Sequence, residues 1–243
     1  MAQGPPLPTR QIMSQWWRDI SFLHWRVDPD LIAPQLPDGV RPDVYDGSGW
    51  VGLIPFRMVG AGVGQGPAVP WFGTFLETNV RYYTTDDAGR RGVVFASLEA
   101  ERLAVVGGAN ASFGVPYQWA RMSCTPPALP PDPDGMRMTY ESRRRSLSRP
   151  RSLVEVEVGS PLDDPAGLDL FLTARFGLHS RRFGRTWWIP NTHAPWPLRH
   201  ARALRVEDRL VTAAGLPGVT DRAPDSVLFS SGVQTVFGLP QRL

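Results

Sequence analysis

The sequence contains no lysine. All 26 basic residues of the 243-residue chain are arginine, so any mechanism that needs a lysine amine, imine formation with a ketone included, is excluded at the outset. Cysteine is nearly as scarce: Cys124 stands alone, which excludes an intrachain disulfide and a cysteine-based zinc cluster. No run of about 18 apolar residues occurs, so no segment reads as a membrane-spanning helix. Met1 to Thr9 is proline-rich and lacks the charged region followed by an apolar run that marks a secretory signal. Charge of one sign is also lacking: the net charge is only +3, and arginines alternate with carboxylates instead of forming a stripe, which argues against nucleic acid as a partner. Gly-x-Ser-x-Gly, His-x-x-x-His and Cys-x-x-Cys are all absent, so neither a nucleophile elbow nor a local metal signature supports a function, and no cofactor or metal is expected. These absences point to a cytoplasmic enzyme or binding protein.

What the chain has in quantity is glycine and proline, 24 and 25 residues, scattered without period, the pattern of many short strands joined by tight turns. Residues 15–243 read as a single domain behind a flexible tail, residues 1–14. Gln15 to Val27 is rich in aromatic and branched residues and reads as a strand. Asp28-Pro29 then starts a short helix reaching about Leu36, because the carboxylate caps free N–H groups and proline fits the first turn. Asp46-Gly47-Ser48-Gly49 signals a hairpin between the apolar segments of Val40 to Val59. Gly60 to Gly66 lacks the strand-turn-helix setting of a phosphate loop and reads as a flexible loop. Phe75 to Tyr83 and Gly92 to Leu98 form a predicted hairpin, as do Met136 to Arg143 and Leu153 to Val158, the second pair capped by the arginine-rich Arg144 to Arg151. Pro126 to Gly135 cannot be a regular element. Asp164-Pro165 opens a core-facing helix carrying Leu168, Phe171, Leu172 and Phe176, with Arg175 capping its end. Strands follow at Thr186 to Pro190 and Leu198 to Val206, then a short helix, Val206 to Ala214, and a last strand, Ser226 to Phe237. With no regular βαβ alternation, the fold class is β-rich α+β: a mostly antiparallel sheet or barrel with a few short packed helices.

Phe75 to Tyr83 carries the chemistry. Strand alternation puts Phe75, Glu77, Asn79, Arg81 and Tyr83 on one face and Leu76, Thr78, Val80 and Tyr82 on the other. A buried carboxylate must be paired or have a raised pKa, so Glu77 is a candidate acid-base group. Arg81, on the same face, either pairs with it or holds an anionic ligand. The competing reading is a buried salt-bridge network with no ligand.

Several segments resemble one family: FLHWRVDPDLIAPQLPDGV at 22–40, DVYDGSGWVGLIPFRM at 43–58, FLETNVRYY at 75–83, FGVPYQWARM at 113–122 and THAPWPLRHA at 192–201. They are similar to the YqjF-like family of bacterial proteins of unknown function, a branch of the acetoacetate decarboxylase-like superfamily, and the resemblance runs over nearly the whole chain. True decarboxylases carry a Gly-x-Pro-Lys-Lys segment whose first lysine forms the Schiff base. Gly114-Val115-Pro116-Tyr117-Gln118 looks like its counterpart and puts Tyr117 in the lysine's place. The resemblance also aligns Glu77 with a glutamate that lines the decarboxylase pocket. It implies that fold and a pocket, but not that family's reaction, because a phenol forms no imine.

The other candidates carry two readings each. His193 lies in a proline-rich turn and either lines a pocket or hydrogen-bonds the turn. His24, between apolar residues, reads as a core histidine satisfied by a carbonyl. Tyr140 and Ser231 are weaker candidates from later strands. The nine tryptophans, Trp196 among them, either build an aromatic pocket or simply pack. The sequence thus supports a lysine-independent enzyme acting on a small enolisable carbonyl or carboxylate compound. Glu77 and Tyr117 would be its catalytic pair, with Arg81, Asn79, His193, Trp196 and Tyr140 holding the substrate. The alternative is a non-catalytic binding protein for an aromatic or toxic metabolite. Homo-oligomerisation is left open, a ligandless oligomeric scaffold being a third reading.

Overall fold

The structure, a computed structural model, describes residues 3–64, 66–67, 73–102 and 114–243. It is built on one large sheet. Among the described residues thirteen strands run β13-β10-β9-β5-β6-β7-β8-β11-β12-β1-β3-β4-β2, with further pairings β10–β12 and β5–β4 that fold the sheet back on itself. The strands are β1 Gln11–Val27, β2 Val40–Pro42, β3 Gly49–Val63, β4 Phe75–Asp86, β5 Arg91–Ala100, β6 Tyr117–Thr125, β7 Arg137–Arg144, β8 Arg151–Pro161, β9 Gly177–Arg182, β10 Arg185–His193, β11 Leu198–Asp208, β12 Ser226–Gly238 and β13 Gln241–Arg242. All their pairings are antiparallel except β5 with β6 and β5 with β9. The helices are short: α1 Pro29–Ile32, α2 Gly167–Thr173 and α3 Leu210–Ala213. None among the described residues is long and apolar enough to cross a membrane.

The predicted hairpins β4–β5 and β7–β8 form, because period-2 alternation is set locally and matched across each turn. Asp28 caps α1 through the Asp30 N–H as expected. Other readings need correction. Asp46 and Gly47 make a turn with both φ angles positive, but the strands around it do not pair with one another: β2 pairs with β4. Gly60 to Val63 is not loop but the end of β3, held by pairing of Ser14 with Gly62 and Met13 with Val63 on β1. Here a ladder overrides the weak strand preference of glycine. α2 begins after Ala166, whose N–H is accepted by Asp169, and stops at Thr173, leaving Phe176 outside. Val206 to Asp208 stays in β11, so α3 starts only at Leu210.

β1 is the spine, pairing with β12 on one side and β3 on the other. Its register with β3 shifts between Arg18 and Leu23, at Asp19 in the left-handed region. Opposite Arg18 lies Gly232, at φ +117°, where a Cβ would fall 1.9 Å from the Trp17 carbonyl oxygen. Only glycine permits that approach.

β4 is buried along almost its whole length. Val80 and Tyr82 pack with Leu23, Trp25, Leu53, Val154 and Phe229 in the main core. The opposite face looks into a cavity.

Candidate functional site

The cavity has a volume of about 410 Å³ and a mostly apolar wall, within the range of small-molecule sites. Glu77, Asn79 and Arg81 enter it from β4 because alternation sends every second side chain the same way. Tyr117 joins at the start of β6, where the parallel pairing of Leu98 with Tyr117 sets β6 beside β5. His193 comes from the end of β10, Trp196 from the segment before β11, and Arg175 from the chain just after α2.

Glu77 is buried and accepts a hydrogen bond of 2.7 Å from the Tyr117 hydroxyl. Burial pushes its pKa from the ordinary 4.5 up to about 7, against the pull of hydrogen bonds from Tyr117 and Asn79 and with a small addition from Glu99. Near neutral pH the carboxyl therefore exchanges a proton readily. Burial and the adjacent Glu77 hold the Tyr117 phenol well above its usual range, so it stays a donor.

Arg81 does not pair with Glu77. Among the described residues no carboxylate lies within 4.0 Å of it. Instead its Nε donates to the Tyr83 hydroxyl at 3.0 Å and its Nη2 to the Leu172 carbonyl at 3.4 Å. The Tyr83 oxygen lies 2.6 Å from His24 Nε2. Burial, then Arg81 and Arg175, hold the His24 imidazole well below its usual range, so the neutral ring accepts the Tyr83 proton. His24 is a core histidine as expected, but its partner is a phenol and not a carbonyl.

Arg175 does cap α2, its Nε donating to the Phe171 carbonyl at 2.7 Å. It also pairs with Asp43 at 2.5 Å, and Asp43 is shared with Arg91 at 2.7 Å. Burial pulls its pKa down to about 10, opposed by Asp43. His193 lines the cavity, and its Nδ1 donates to the Ala194 carbonyl at 2.8 Å. Trp196 stacks on Trp17 at 5.9 Å with planes 9° apart. Four cavity residues, Trp17, Asn79, Arg175 and Asn191, each keep one buried polar atom without a hydrogen-bond partner among the described residues, a costly state that a polar ligand would relieve.

Tyr140 lies outside this group. It belongs to the main core, where its hydroxyl donates to the Asp19 carbonyl at 2.6 Å and accepts from Ser21 at 3.1 Å. Its alternation on β7 directs it to the other side of the sheet from Glu77. Ser231 is exposed on β12, and Trp71 lies outside the described residues. Sequence reasoning gave Arg175 only its capping part, offered Trp17 only as one of nine tryptophans, and missed Gln15 and Asn191. The Arg175–Asp43 pair joins residues 132 apart, for which no local signal exists. Among the described residues no three His, Cys, Asp or Glu side chains converge on a metal position.

A family described as an uncharacterized conserved protein, DUF2071, matches residues 14–234. The chain belongs to that family. Its relative YqjF of Bacillus subtilis, an uncharacterized protein, is 28% identical over 233 residues, covering 95% of this chain and 92% of YqjF. Among solved structures, acetoacetate decarboxylase from Legionella pneumophila superposes with a TM-score of 0.67 at 15% identity, covering 100% of this chain and 92% of that one. The enduracididine biosynthesis enzyme MppR complexed with pyruvate gives 0.63 at 16% identity, covering 100% and 98%. At such identities the likeness shows the fold: this is an acetoacetate decarboxylase-like architecture without the lysine.

Proposed function

We propose that this is a cytoplasmic enzyme that moves a proton on a small enolisable carbonyl compound bearing a negative charge, without a covalent imine. The observation that carries the reading is a buried carboxyl, Glu77, with a pKa of about 7, hydrogen-bonded to Tyr117 in the same cavity as an arginine that has no carboxylate partner among the described residues. In the step we infer, ionised Glu77 takes the proton from the carbon next to the carbonyl, and the released electron pair forms an enolate. Tyr117 turns its hydroxyl from Glu77 to the enolate oxygen, and protonated Glu77 returns the proton to the same or a neighbouring carbon. Arg81 anchors the anionic group, Asn79 offers its unpartnered oxygen, and His193 and Trp196 form the wall. Pyruvate bound to MppR, a protein of similar fold, is consistent with a small carbonyl ligand.

The test is exchange of α-hydrogens with deuterated solvent, followed by NMR for a panel of ketones and keto acids. It detects proton abstraction without knowledge of the product. Wild type is expected to accelerate exchange, and Glu77→Gln to lose about 10²–10⁴-fold of that acceleration while still binding the compound. Binding with no exchange by wild type would favour the alternative, a binding protein whose aromatic wall only holds its ligand.

A further inference from the structure

The two chemical ends of this cavity do not face each other. Glu77 and Arg81 lie four residues apart on β4, and a strand rises about 3.3 Å per residue, so their Cα atoms are roughly 13 Å apart. Their side chains engage different partners. The Arg81 guanidinium donates to the Tyr83 hydroxyl and the Leu172 carbonyl, whereas the Glu77 carboxyl is held at Tyr117 on β6. Among the described residues the charge around Arg81 is unbalanced: Arg175 and Arg91 share the carboxylate of Asp43, His24 is kept neutral, and Arg81 has no carboxylate partner. A buried guanidinium without a counter-charge is a standing demand for an anion. Much of the remaining wall is apolar, with Trp17, Ile20, Phe56, Phe95, Leu98 and Trp196.

From this arrangement we infer that the ligand is an elongated anion, with a carboxylate at Arg81, an apolar or aromatic spacer along the wall, and the reacting carbonyl at Glu77. The inference rests on Glu77 being the acid-base group. A short keto acid, whose carboxylate adjoins the reacting carbon, reaches one end only. At Arg81 it leaves Glu77 out of range, and at Glu77 it leaves the guanidinium uncompensated.

Calorimetric titration of the wild type with phenylacetate, 3-phenylpropionate, 4-phenylbutyrate and 5-phenylpentanoate, and with the primary amide of each, tests this. Affinity is expected to rise about fourfold per added methylene until the cavity is filled, with each acid at least about tenfold tighter than its amide. Arg81→Met is expected to abolish the acid–amide gap and keep the dependence on length. The wild-type comparison alone decides the matter if that variant fails to fold. Affinity flat across the series, or equal for acid and amide, overturns the inference even where deuterium exchange succeeds. Length-dependent, carboxylate-selective binding with no exchange on any ketone upholds the elongated anion as ligand and removes only the acid-base reading.

Discussion

Glu77 and Glu99 stand on neighbouring strands, almost opposite one another, since Glu77 pairs with Ala100 and Thr78 with Glu99. Both are buried glutamates, and burial raises the pKa of both. They resolve the cost of a buried carboxylate differently. Glu99 has a guanidinium: Arg144 donates to Oε1 through Nε at 2.9 Å and Nη2 at 2.5 Å, and Ser97 donates to Oε2 at 3.3 Å. Among the described residues Glu77 has a phenol and an amide but no guanidinium, and so it rests between its charged and neutral forms near pH 7. Alternation explains the division: the face of β5 carrying Glu99 turns away from the cavity, the face of β4 carrying Glu77 turns into it. A paired carboxylate holds structure, and an unpaired one in a cavity is available for chemistry.

The largest effect expected from breaking this contrast is on the paired glutamate. Arg144→Ala leaves a buried charge uncompensated and should cost about 3–5 kcal/mol of stability in chemical denaturation, whereas Glu77→Gln should cost little or be stabilising at pH 8. A pH series sharpens the same point. A carboxyl raised in the folded state binds its proton more tightly there than in the unfolded chain, so its stabilising contribution is complete below 4.5 and is lost as pH rises towards about 7. Wild type should therefore lose about 3 kcal/mol relative to Glu77→Gln across that window, and parallel stability curves for the two proteins would contradict the assignment. Tyr117→Phe removes a hydrogen bond that favours the ionised carboxylate, so the Glu77 midpoint should move upward, by an energy of about 1 kcal/mol, visible in the pH profile of exchange. The smallest effect is expected at Tyr140→Phe, which loses the bond to the Asp19 carbonyl. Stability should fall by about 1 kcal/mol with no change in ligand affinity, the behaviour of a residue outside the cavity.

How much of this was legible in the sequence follows from what is local. The polar face of β4 was readable because period-2 alternation needs no distant partner, and the β4–β5 and β7–β8 hairpins because their turns adjoin their strands. Tyr117 was reachable only through family resemblance, since nothing in its own surroundings distinguishes it from any strand tyrosine. The Arg175–Asp43 pair, the seating of Tyr140 against Asp19 and the pairing of β2 with β4 depend on register between distant segments. The end of β3 was misread for the same reason: Gly60 to Val63 is a strand because β1 pairs with it, not because of its composition.

Infrared difference spectroscopy of the carboxyl C=O stretch, comparing wild type with Glu77→Gln from pH 5 to pH 9, tests the central claim most directly. A protonated-carboxyl band present at low pH, titrating near 7, absent from Glu77→Gln and shifted when 4-phenylbutyrate binds, is the predicted result. A Glu77 that is already ionised at pH 5, or whose band ignores the ligand, would contradict the account.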